Sequence, residues 1–148
     1  MGNLTLVVAL VLLLSSVLVG YFAVRRVQLM RGGGVDVSLR HRCPASSPAA
    51  GWQFGVGRYR GDELCWYRLA SLRPGPTLVI DRSTVEIVDR RPRGGAEGYA
   101  IPQADVVLRC RTGTADVELA MAPGVLTGFQ SWLEATPPGR STGYRQAS

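Results

Sequence analysis

The chain holds a single imidazole, His41, and three thiols, Cys43, Cys65 and Cys110. These are the side chains most often used for nucleophilic or metal chemistry. His41 lies between Arg40 and Arg42, with no third group at a spacing that would orient it as a base toward a nucleophile. A tetrahedral metal site on His41 and Cys43 would have to recruit Cys65 and Cys110 from distant segments, without CxxC or HxxxH spacing. The residues therefore imply no metal, no cofactor and no catalytic set, and buried, inert thiols are expected at Cys65 and Cys110.

Phosphate-binding loops are equally absent from the pattern. All 17 basic residues are Arg, so no Walker A lysine exists, and Gly55-x-Gly57-x-x-x-Gly61 misses the dinucleotide fingerprint by one position. Those glycines suit a bulge or close strand packing, and Asp62-Glu63 falls in a turn, where Asp is ordinary. Two groups of arginines remain as candidate sites for an anionic lipid or an acidic partner. One comprises Arg58, Arg60 and Arg68 around a hairpin, and the other Arg90, Arg91 and Arg93 beside Pro92. The planar guanidinium fork matches phosphate and carboxylate in bidentate fashion, although a solvated surface is the plainer explanation of a charge cluster.

Elements able to position these groups must fit within 148 residues, enough for one domain and an anchor. A net charge of +6 favours anionic neighbours but is too modest for nucleic-acid binding. Three widely spaced cysteines do not make a disulfide framework, and a reducing compartment is the simpler expectation. One disulfide with one free thiol is the alternative.

Residues 4–24 contain no charge and are dominated by Leu and Val. As a helix rising about 1.5 Å per residue, they cover a hydrocarbon core of about 30 Å. A cleaved secretory signal would show a basic start, a shorter apolar run and an A-x-A-like cut site, whereas Met1-Gly2-Asn3 has no basic side chain. Arg25, Arg26 and Arg31 all follow the apolar run. The positive-inside rule then places the chain in the plasma membrane as a single-pass protein, with the N-terminus outside and the domain in the cytoplasm. The expected layout is an anchor over residues 1–26, a flexible Gly-rich linker over 27–34, a domain over 35–136 and a loose polar tail over 137–148.

Beyond the linker, period-two alternation recurs. Val35, Val37 and Leu39 alternate with polar residues, as do Trp52, Phe54 and Val56, and further strands are expected near 64–69, 77–80, 85–88, 106–110 and 116–121. Strict alternation from Val56 points Arg58 and Arg60 into the core unless a bulge intervenes or they lie at the rim. After Pro123-Gly124 the period changes, and Leu126, Phe129, Trp132 and Leu133 form one stripe of a helix. About seven antiparallel strands closed by a C-terminal helix match a pleckstrin-homology-like barrel, with Trp132 placed to plug its end. A lipocalin-like or other small barrel is the alternative.

The chain also resembles the actinobacterial DUF2550 family of uncharacterised single-pass membrane proteins. The resemblance rests on Gly57-Arg58-Tyr59-Arg60-Gly61-Asp62, Trp66-Tyr67-Arg68, Arg90-Arg91-Pro92, Glu118-Leu119-Ala120-Met121, Ser131-Trp132-Leu133-Glu134-Ala135 and Pro137-Pro138-Gly139. It covers nearly the whole length and implies no reaction. The expected role is a membrane-tethered adaptor binding a protein partner or anionic lipid. Alternatives are an enzyme or accessory subunit acting on a phosphorylated membrane-linked metabolite, and an exported domain.

Overall fold

A computed structural model describes residues 1–41, 49–113 and 115–135. The expected strand at Trp52–Val56 moves forward in the chain: Trp52 and Phe54 precede it. The elements run α1 (Gly2–Arg31), β1 (Val35–Asp36), β2 (Ser38–His41), β3 (Gly55–Arg60), β4 (Glu63–Arg68), β5 (Leu78–Asp81), β6 (Val85–Pro92), a 3-10 turn (Gly95–Gly98), β7 (Val106–Thr112), β8 (Ala115–Met121) and α2 (Pro123–Glu134).

Among the described residues the strands form two antiparallel four-stranded sheets, ordered β1-β3-β4-β5 and β2-β8-β7-β6. This corrects the expectation of a closed barrel, because β5 and β6 follow one another in the chain but belong to different sheets. The sheets share the extended segment from Val35 to His41. Its first residues pair with β3, Val35 opposite Gly57, and its last with β8, Leu39 opposite Leu119. The Val37 amide still donates to the Gly55 carbonyl at 3.1 Å, so the segment bends from one sheet into the other without losing its hydrogen bonds.

The core lies between the sheets. Leu39, Leu64, Trp66, Ile80, Leu108, Leu119 and Phe129 are all essentially sealed from solvent. The buried Trp66 indole N–H donates to the Val37 carbonyl at 2.8 Å, which satisfies its one polar atom. Gly55 makes this possible, since a Cβ there would overlap the indole ring. Close packing, rather than a bulge, is what this glycine serves. The plug from α2 is Phe129 with Leu126, not Trp132. Trp132 stays at the margin, where its N–H donates to the Gly61 carbonyl at 2.8 Å and its ring meets Tyr59 at 5.3 Å between centroids.

Helix α1 is long and apolar enough to cross a membrane, and it continues without a break to Arg31. The expected linker over 27–34 therefore contracts to a turn at Gly32–Gly34. Gly33 adopts a left-handed φ of +78°, which glycine takes without strain. A Cβ on Gly34 would come within 2.5 Å of both the Leu29 carbonyl oxygen and the Val56 side chain. The chain thus doubles back tightly, and Leu29 of the last helical turns is buried in a second small cluster with Val56, Cys65 and Tyr67.

Candidate functional site

Alternation on the β3–β4 hairpin sorts its side chains onto two faces. Tyr59, Leu64 and Trp66 belong to the main core. Val56, Cys65 and Tyr67 form the outer cluster under Leu29, and Val56 pairs with Tyr67 in register while Arg58 pairs with Cys65. No bulge interrupts this pairing. Val56, Arg58 and Arg60 therefore do share a face, as the alternation required. That face turns away from the main core toward α1, so Val56 is buried by the helix and the arginines emerge beside it.

The result is a basic pocket of about 440 Å³ between α1 and the hairpin, lined by Tyr21, Arg25, Gln28, Arg58, Arg60 and Tyr67 among others. Arg25 donates through Nη2 to the Arg73 carbonyl at 2.6 Å, while its buried Nη1 has no hydrogen-bond partner. No acidic side chain lines the pocket. Glu63 lies opposite Arg60 in register without closing an ion pair. Arg68 is excluded from this group, because it falls on the opposite face of β4, across from Gly55.

The other arginine group does not form a common patch. Arg91 clamps Glu97 with two hydrogen bonds, Nη1 to Oε2 at 2.7 Å and Nη2 to Oε1 at 2.8 Å. Arg93 donates to the carbonyls of Ile101 and Pro102, and Arg90 is exposed on the other side of β6 from Arg91. Glu97 is 1% exposed, and the hydrogen bonds from Arg91 hold its carboxyl below the usual carboxylate range against the opposing effect of burial. Arg40 pairs with Glu118, lies 3.7 Å from Glu97 and stacks over the Trp52 ring. Arg91 also reaches Glu118 at 3.6 Å. Two cations and two anions thus form a neutral, largely buried ring that ties β2, β6, β8 and the 3-10 turn together. Sequence reasoning missed Arg40, Glu97 and Glu118: Arg40 and Glu118 sit at polar positions of alternating strands, and Glu97, on the 3-10 turn, carries no pattern of its own.

His41 is exposed, and Cys43 lies outside the described residues, as does the expected tail over 137–148. Cys65 and Cys110 are free and buried, and burial pushes the Cys110 thiol up to about 12. Among the described residues, no three His, Cys, Asp or Glu side chains gather to hold a metal ion. A larger and mostly apolar groove of about 530 Å³ lies on the other side of α1, with Met30, Val35, Phe54, Ile101 and Val125 in its walls.

The long-range ties join the segments by which the chain resembles other proteins. Arg91 meets Glu118, and Trp132 meets Tyr59 and Gly61. The sequence profile of a family described as "protein of unknown function (DUF2550)" matches residues 8–139. The chain belongs to the DUF2550 family. An uncharacterised protein of Mycobacterium leprae is 40% identical over 120 residues, covering 78% of this chain and 80% of its own. An uncharacterised protein of Mycobacterium tuberculosis is 39% identical over the same shares. No solved structure matches the chain. The DUF2550 match begins inside the apolar part of α1, so the family's common sequence includes much of that helix as well as the β domain.

Proposed function

We propose that this DUF2550 protein is a single-pass plasma-membrane protein, N-terminus outside, whose cytoplasmic domain is a pleckstrin-homology-like module that binds anionic ligands, lipid or acidic protein, beside the bilayer. The observation that carries this reading is the gathering of Arg25, Arg58 and Arg60 around one pocket at the point where α1 leaves its apolar run. Arg58 and Arg60 come from the domain and Arg25 from the helix, so the site needs both parts of the chain. Support for the pleckstrin-homology-like assignment comes from the strand order, the segment 35–41 shared by both sheets and the core-filling C-terminal helix. Arg25, Arg26 and Arg31 on the C-terminal flank of the span support the orientation.

A fluorescent reporter that matures only in the cytoplasm, fused to the C-terminus, tests the topology. Signal from this fusion, with silence from an alkaline phosphatase fusion that works only outside, is the expected pair of results. The reverse pair overturns the cytoplasmic role. A photo-crosslinking residue at Arg60 is expected to trap a lipid or protein adduct in cells, whereas the same residue at the solvent-facing Arg90 is not. Equal adducts at both positions would remove the assignment of the binding face.

A further inference from the structure

The basic pocket does not end at the level of Arg25. Tyr21 belongs both to it and to a second, apolar crevice of about 300 Å³ formed by Leu14, Val17, Leu18, Tyr21 and Leu72. Leu72 comes from the loop between β4 and β5 and is 68% exposed, a costly position in water for a large apolar side chain. Along α1, Leu14 and Arg25 are about 16 Å apart at 1.5 Å per residue. With α1 spanning the bilayer as proposed above, the crevice falls beside the apolar run of the helix and the pocket beside its basic flank. Arg73, next to Leu72, is the residue whose carbonyl Arg25 holds, so the loop is fixed against the helix at the boundary between the two.

We propose that this junction is a binding site for one anionic phospholipid, its phosphate held by Arg25, Arg58 and Arg60 and an acyl chain lying between α1 and Leu72. The proposal rests on the membrane-tethered reading above and deepens it. Three guanidinium groups without an acidic neighbour in the pocket, one with a buried N–H lacking any partner, suit a phosphate that accepts several hydrogen bonds. The apolar extension decides between sources of that phosphate. A soluble phosphate ester or an acidic protein segment could satisfy the arginines, but neither would fill a crevice along the apolar part of α1. Pro74-Gly75-Pro76 follows directly, and two prolines limit the conformations open to the loop, which favours a preformed site.

The test uses the full chain purified in a neutral detergent, stripped of lipid and titrated with phosphatidylglycerol, phosphatidylcholine or glycerol phosphate, with bound lipid counted by native mass spectrometry. Phosphatidylglycerol is expected to bind more tightly than phosphatidylcholine, and glycerol phosphate to compete poorly. At about 1 kcal/mol for each arginine near an anionic lipid, the Arg58→Gln/Arg60→Gln pair should lose about thirtyfold in phosphatidylglycerol affinity. Leu72→Ser should weaken both lipids alike. Should the double variant unfold, Arg60→Gln alone, at the exposed end of β3, is expected to lose about fivefold. Unchanged phosphatidylglycerol retention in a folded arginine variant overturns the site, and competition by glycerol phosphate at equal concentration reassigns it to a soluble ligand and overturns the lipid. An external reporter with this titration intact would overturn the orientation alone, whereas a cytoplasmic reporter with a failed titration would overturn the lipid site alone.

Discussion

The Arg25 guanidinium donates a 2.6 Å hydrogen bond to the Arg73 carbonyl, joining helix α1 to the loop that carries Leu72. An ordinary flexible tether would make no such contact. With Leu29 buried on the outer face of the first sheet, the last turns of the helix are packed against the domain at the point where they meet.

Removing the Arg25 bond should loosen the loop before it affects the domain. Arg25→Gln is expected to speed amide exchange around residues 71–73 by about fivefold, the effect of a net hydrogen bond of about 1 kcal/mol. Hydrogen exchange read by mass spectrometry checks this, and unchanged rates at β7 and β8 would localise the effect.

Docking of the helix depends on shape as much as on contact area. Gly34→Ala places a Cβ against the Leu29 carbonyl and Val56, two groups that cannot both yield, and Leu29→Ala empties a buried position. Each is expected to cost about 2 kcal/mol, measured by chemical unfolding of the full chain in detergent. Gly75→Ala, with nothing within 4 Å of its Cβ and no positive φ, is the neutral control.

Breaking the buried charge ring should be the most damaging of these changes. Glu97→Ala leaves Arg91 and Arg40 without their shared anion and is expected to destabilise the domain by about 3 kcal/mol. The double variant Glu97→Ala/Arg91→Ala should lose less than the sum of its single changes, which a double-mutant cycle measures.

The same carboxylate sets a pH dependence. Its folded pKa lies below its ordinary value, chiefly through the hydrogen bonds from Arg91, so the folded state binds fewer protons than the unfolded chain. The resulting stabilisation is fully present above the unfolded glutamate value of about 4.3 and is lost as pH falls through the lower folded value. Thermal unfolding across acidic pH should show this loss, and Glu97→Gln should flatten it.

Thiol chemistry gives a separate check on the core. In a Cys43→Ser variant the native chain should react slowly with a thiol reagent at mildly alkaline pH, because Cys65 and Cys110 are buried and Cys110 is held protonated up to about 12. Both should react at once after unfolding.

Helix α2 and most strands were legible from local period, because apolar residues recur every second position in β7 and β8 and every third or fourth in α2. The arginine pair Arg58 and Arg60 was legible by type but not by surroundings. Alternation placed both with Val56, and only the position of α1 explains why a buried valine and two arginines share a face. Glu97 gave no local signal, because it sits on the 3-10 turn between β6 and β7 while the cations that hold it, Arg91 on β6 and Arg40 on β2, occupy ordinary polar positions of separate strands.

By itself the sequence determined an apolar span with basic residues on one flank, a mostly β domain and a closing helix, since these depend on composition and short-range periodicity. Only the tertiary structure decided that the strands divide into two open sheets, that the glycines after the span form a turn instead of a tether, and that Arg25, Arg58 and Arg60 converge while the other candidate arginines disperse. Such outcomes depend on which distant faces pack together, and burial of Leu29 against Val56 and Tyr67 is a contact between segments whose local patterns carry no information about each other.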